Sequence, residues 1–228
     1  MIDHFISSCL QKLTMKTLLL SLLLISLNAI SQPFIEEITA FKIQDSIHFP
    51  AKKSNLFVGS SSFRLWQNIK QDFPKHKITN RGFGGSSLPD VIRYADDIIF
   101  PYKPKQIIIY CGENDLAGSD TITAQTVANR FIQLFSMIRN KWKKMPVVFI
   151  SIKPSPSREH LLPKMKEANR LIREFLATQR KTRFIDVFSL MLDAQGKPRK
   201  ELFGPDMLHM NATGYAIWQK ELEPVLKD

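Results

Sequence analysis

Three short stretches of this chain, Leu56-Phe57-Val58-Gly59, Gln106-Ile107-Ile108-Ile109-Tyr110-Cys111 and Pro146-Val147-Val148-Phe149-Ile150, are continuously apolar, without polar alternation. A strand with one wet face alternates. A strand that is apolar throughout is covered on both faces, as in a parallel sheet flanked by helices. Two further runs, residues 77–80 and 182–187, bring the set to five. Between and after them lie helix-like stretches at 63–72, 88–100, 124–143, 164–179 and 212–222. In the third, Val127, Phe131, Leu134, Phe135 and Ile138 recur at spacings of three and four, giving one core-facing stripe. Strands alternating with helices predict a single three-layer α/β/α domain with right-handed crossovers around a roughly five-stranded parallel sheet. Such sheets bind ligands beyond the C-terminal ends of their strands, so chemistry is expected in the loops that follow the apolar runs.

The chain opens differently. Lys12 and Lys16 precede an apolar run over 17–27, and the small residues Ala29 and Ser31 follow it. This pattern predicts a signal peptide over 1–31, cleaved after Ser31, with Met15 as a candidate start. The run is shorter than the roughly 20 residues a membrane-spanning helix needs; an uncleaved anchor or a membrane-surface helix is the alternative. Residues 32–54, with Pro33 and Pro50, read as a lead-in to a domain over 55–228. The expected location is periplasmic or extracellular, with no stable membrane span after cleavage. Cys9 falls in the leader, which leaves Cys111 without a disulfide partner in the mature chain. Behind its apolar run Cys111 reads as a core thiol and not as a nucleophile. The net charge of +11 favours anionic partners. Its basic residues are spread along the chain, however, and no aromatic-interleaved motif accompanies them, so nucleic acid is not an expected partner.

Four loops combine residue types that carry chemistry. Gly59-Ser60-Ser61-Ser62 follows the first strand and places a hydroxyl at a helix start, where a nucleophile gains from free backbone N–H groups; serine is equally the common helix cap. Asn80-Arg81-Gly82-Phe83-Gly84-Gly85 is a glycine-rich turn that exposes amides, or one that merely needs positive φ angles. Gly112-Glu113-Asn114-Asp115 brings an uncharged amide donor to the sheet edge, or forms an Asx turn. Asp206-Met207-Leu208-His209 lets a carboxylate reach Nδ1 of a histidine whose Nε2 faces outward, the arrangement of a general base, or makes a local structural hydrogen bond.

In the order Gly-x-Ser, Asn-x-Gly-x-x-Gly, Gly-x-Asn-Asp and Asp-x-x-His, the four loops resemble the blocks of the SGNH hydrolase family, also called GDSL-like. The resemblance runs over residues 57–218 and implies a flavodoxin-like fold. It places the nucleophile on Ser61, the acid and base on Asp206 and His209, and the oxyanion donors on Ser61, Gly85 and Asn114. The usual Gly-Asp-Ser reads Gly59-Ser60-Ser61 here, which leaves Ser62 as an alternative register. The implied activity is that of a serine esterase acting on a small-molecule or glycan ester, with no metal or organic cofactor. Acetyl groups on a carbohydrate or other polar alcohol are the first expectation, because no long apolar insertion offers a lipase lid. A lysophospholipase or thioesterase of the same fold, or a non-catalytic carbohydrate-binding surface protein, is the alternative. Arg64, Arg158 and the segment 153–160 are candidates for shaping the pocket or meeting an anionic substrate.

Overall fold

All five runs become strands of one sheet: β1 (Asn55–Gly59), β2 (Ile78–Gly82), β3 (Gln106–Tyr110), β4 (Val147–Ile150) and β5 (Thr182–Ile185). The computed structural model describes residues 32–227, so the expected signal segment lies outside the described residues. Every strand pairing is parallel, in the order β2-β1-β3-β4-β5. The order reverses between β1 and β3, creating a crevice at their C-terminal ends. These two strands are buried at every residue, while edge strand β5 leaves its first three residues partly exposed. That difference explains why β5 lacks the unbroken apolar signature of its neighbours.

The helices are α1 (Ile35–Ile47), α2 (Ser61–Arg64), α3 (Ile69–Asp72), α4 (Leu88–Arg93), α5 (Ala95–Ile98), α6 (Glu113–Gly118), α7 (Ala124–Lys141), α8 (Leu162–Ala177) and α9 (Ala212–Leu222). On one face of the sheet Phe57, Ile108, Tyr110, Val148 and Ile150 pack with Phe63, Trp66, Trp218 and Leu222. On the other, Phe149 meets Phe131 of α7 edge-on, with ring centroids 4.7 Å apart. The whole predicted stripe of α7 is buried. This is the expected three-layer α/β/α domain.

Two expected helices are each broken in two. The stretch 63–72 splits into α2 and α3, because Trp66 leaves the helical path to enter the core. There its ring stacks on Tyr215 at 4.9 Å and its indole N–H donates to Asp72 at 2.6 Å. The stretch 88–100 splits at Tyr94, whose buried ring sits edge-on to Phe83. The polar lead-in is also more ordered than expected, since it contains the 13-residue helix α1. Ile38 is the one buried residue of α1, so no apolar stripe announces the helix. It is held instead by polar contacts. Asp45 accepts hydrogen bonds from Arg81 and Tyr102, and the Arg81 guanidinium lies 4.9 Å from the centre of the Phe41 ring. Among the described residues no helix is long and apolar enough to cross a membrane.

Trp218 is the largest fully buried side chain and touches Phe63, Trp66, Tyr110 and Tyr215. Trp218→Ala is therefore expected to destabilise the fold by about 3–5 kcal/mol and to lower Tm by roughly 10 °C or more. Calorimetry checks this, and a shift of only about 2 °C would mean that the aromatic cluster is not the anchor described.

Candidate active site

β1 and β3 end side by side, and their last residues are in unusually close contact. A Cβ at Gly59 would lie 1.8 Å from the carbonyl oxygen of Tyr110, and Gly59 has a φ of +144°, so only glycine fits. Ser60 then donates its N–H to that same oxygen at 3.1 Å, and the chain turns into α2 at Ser61. Gly82 of β2 lets α2 lie against the sheet, since a Cβ there would meet the Phe63 Cβ at 2.5 Å. Ser60 occupies the N-cap position but makes no capping hydrogen bond. The hydroxyl of Ser61 instead lies 3.0 Å from Nε2 of His209. Ser62, the alternative register, is buried, and its carbonyl accepts the Tyr215 hydroxyl at 2.9 Å.

His209 stands in a tight turn that places Met207 at a φ of +53°, a left-handed conformation rare outside glycine. Its Nδ1 lies 2.5 Å from one oxygen of Asp206, whose other oxygen accepts the N–H groups of Leu208 at 3.0 Å and His209 at 2.9 Å. Burial pushes the Asp206 carboxyl up, but those two backbone donors and the His209 ring outweigh it and hold it down to about 2. The carboxylate is therefore charged at neutral pH. An ionised carboxylate only accepts, so Nδ1 carries a proton, and in the neutral ring the lone pair lies on Nε2, the atom that meets Ser61.

The glycine-rich turn is held at several points. Ser86 donates its hydroxyl to Gly59 O at 3.1 Å, Ser87 and Asp90 form a capping box at the start of α4, and Asp115 accepts the N–H of Leu88 at 2.8 Å. Gly84 donates its N–H to Glu37 of α1 at 3.0 Å. The N–H of Gly85 has no protein acceptor among the described residues, and the side-chain Nδ2 of Asn114 lies 3.8 Å from where a Gly85 Cβ would stand. As the first residue of a helix, Ser61 likewise has an N–H with no intrahelical acceptor. Asn114 Nδ2 donates one proton to Ser86 O at 3.1 Å and retains a second. The structure thus joins Ser61, His209 and Asp206 in one hydrogen-bonded series, and sets Gly85 beside Asn114 in the neighbouring loops. Cys111 is buried beneath them, 3.4 Å from Ser86 O, and burial pushes its thiol well above its ordinary range.

Several contacts around the site were not legible in the sequence, although the segment 153–160 was expected to shape the pocket. Glu37 belongs to a helix without an apolar stripe. Glu113 and Lys153 form a buried ion pair at 2.8 Å. Ser155 donates to Glu113 at 2.5 Å and Tyr110 does so at 2.8 Å. Their one sequence signal is charge placed directly after an apolar strand. Arg64 and Arg158, candidates for an anionic substrate, have protein partners: Arg64 lies 3.8 Å from Glu37, and Arg158 touches Asn114 and Glu113.

Residues 52–217, which span all four loops, match the family described as GDSL-like Lipase/Acylhydrolase. The chain belongs to this family. It is thereby a GDSL-like hydrolase, of a family that acts on esters. Solved structures agree on the fold. A Streptococcus pneumonia protein provisionally described as a platelet activating factor matches with a TM-score of 0.74 and 20% identity, over 94% of this chain and 99% of its own. A GDSL-like lipase from Bacteroides thetaiotaomicron matches at 0.69 and 16%, over 82% and 96%. A family 3 carbohydrate esterase from Clostridium thermocellum matches at 0.59 and 14%, over 77% and 97%. No curated protein matches this chain. The family match begins after α1, so the helix that carries Glu37 lies outside the matched residues.

In this GDSL-like hydrolase a carboxyl-carbon NMR titration of Asp206 is expected to show a midpoint near 2, below the ordinary 3.8. His209→Ala removes one donor and should raise that midpoint. An unshifted wild-type midpoint would contradict the contacts described.

Proposed function

We propose that this chain is an exported serine esterase that removes short acyl groups, acetyl first, from a carbohydrate or a similar polar alcohol. The observation that carries the reading is the hydrogen-bonded series from Ser61 Oγ through His209 to Asp206. In the reaction His209 Nε2 takes the hydroxyl proton as Ser61 attacks the ester carbonyl, and Asp206 holds the ring and balances the imidazolium charge. The oxyanion receives the N–H of Ser61, the N–H of Gly85 and the free amide proton of Asn114, each donor being worth about 2.7–4 kcal/mol in such sites. The imidazolium protonates the departing alcohol. Water then attacks the acyl-enzyme with His209 again as base, releasing the acid and restoring Ser61.

The substrate class rests on the surroundings of Ser61. Glu37, Arg64 and Arg158 give the neighbourhood polar side chains that suit a hydroxyl-rich alcohol. The carbohydrate esterase neighbour is consistent with this choice. The leader-like segment over 1–31 supports export.

Hydrolysis of p-nitrophenyl acetate, butyrate and octanoate by the mature chain tests the reading. Acetate is expected to be preferred, and Ser61→Ala or His209→Ala to lower kcat by about 10⁴-fold or more. Asp206→Asn should lower it by about 10⁴-fold while leaving the fold intact. Absence of turnover together with absence of fluorophosphonate labelling at Ser61 would overturn the proposal.

A further inference from the structure

An asparagine amide that serves an oxyanion has a geometric problem, because a rotation of 180° about its last bond replaces the N–H donor with a repelling oxygen. In this structure the problem is met from the loop after β4, which is outside the four family loops. Arg158 donates Nη1 to Oδ1 of Asn114 at 3.0 Å. A guanidinium only donates, so the atom it touches has to be the carbonyl oxygen, and Nδ2 is left facing Gly85 and Ser86.

Arg158 is aimed in its turn. Its Nη1 lies 3.4 Å from Oε1 of Glu113, and the Arg158 side chain is 19% exposed against 5% for Glu113. Glu113 is fastened by Lys153, Ser155 and Tyr110. Lys153, only 1% exposed, also donates to Leu208 O at 2.8 Å, the carbonyl immediately before His209. A single buried network thus connects the amide of Asn114 to the turn that carries the histidine. A buried ion pair of this kind is no dependable source of stability, since apolar residues of similar volume often do as well. Here its two cations end on groups at the site, Arg158 on Asn114 and Lys153 on the carbonyl before His209.

We infer that Arg158 is a positioning residue for the oxyanion amide of Asn114, aimed by the Glu113–Lys153 pair, and that its charge makes the Asn114 N–H a stronger donor as the oxyanion forms. Charge-assisted hydrogen bonds are roughly twice as strong as neutral ones, and a cation on Oδ1 polarises the whole amide. The inference rests on the serine-esterase reading for its kinetic consequence and on geometry alone for the contact.

The test is a double-mutant cycle on the full mature chain. Arg158→Met, which keeps the length of the side chain, is expected to lower kcat for p-nitrophenyl acetate about 10-fold with KM changed less than about twofold. Arg158→Lys should recover part of the loss. In an Asn114→Ala background, itself slower by about 10²–10³-fold, Arg158→Met should have almost no further effect. A full Arg158→Met effect in that background, or none in the wild type, overturns the inference. A second measurement does not depend on turnover: nitrogen-15 NMR of the Asn114 side-chain amide, assigned by its loss in Asn114→Ala. Arg158→Met should move these resonances and speed their hydrogen exchange; unchanged resonances overturn the contact. Absence of wild-type turnover would strike the esterase reading, while the amide spectrum still decides the role of Arg158.

Discussion

At Gly59 two adjacent parallel strands and the start of a helix meet within van der Waals limits that exclude any side chain. The carbonyl of Tyr110 occupies the space a Cβ would need and accepts the N–H of Ser60. This close approach fixes where β1 ends relative to β3, and so where Ser61 stands relative to Asn114 four residues after Tyr110. Both strands pair in register along their whole length, from Asn55 with Gln106 to Gly59 with Tyr110. The turn after β2 is drawn into the same place, because Ser86 donates to Gly59 O while Phe83 donates its N–H to that carbonyl at 3.0 Å. Three loops from three strands therefore converge at the point where the strand order reverses.

The fourth loop arrives from the far end of the chain, and packing delivers it. Helix α9 buries Trp218 against Phe63 of α2 and Tyr110 of β3, and Tyr215 donates to the carbonyl of Ser62. Asn211 caps α9 by accepting the N–H groups of Thr213 and Gly214, two residues after His209. The histidine turn is thus held between a capped helix and the Lys153 contact to Leu208 O.

Two carboxylates are kept ionised here by different physics. Asp206 is half exposed, and backbone N–H groups with the His209 ring outweigh the penalty of its partial burial. Glu113 is buried, and burial alone would raise it; the charges of Lys153 and Arg158, with hydrogen bonds from Lys153 and Ser155, hold it below the ordinary range. A buried carboxylate needs such partners because desolvation penalises its charged form. The ion pair is therefore as much a requirement of the site's interior as the apolar strands are of the sheet.

Local rules were enough to read the sheet and the long helices, while the five candidate residues of the four loops came from the resemblance to a family. Strand burial on both faces writes itself as unbroken apolar runs, and a helix against a sheet writes itself as a stripe such as Val127 to Ile138. Glycines and small polar residues after each strand mark where backbone must turn tightly. Hidden from such reading were the breaks at Trp66 and Tyr94, the helix α1 with Glu37, and the contacts that link Glu113, Lys153 and Arg158. Each depends on a partner distant in sequence: Trp66 turns inward to meet Tyr215, α1 is held by Arg81 and Tyr102, and Arg158 is placed by Glu113. The sequence by itself determined the layers and the order of elements, because these follow from periodicity and residue chemistry within a few positions. Only the tertiary structure decided which serine faces His209 and what orients the Asn114 amide, because a hydrogen bond depends on tenths of an ångström between chain segments that sequence spacing does not measure.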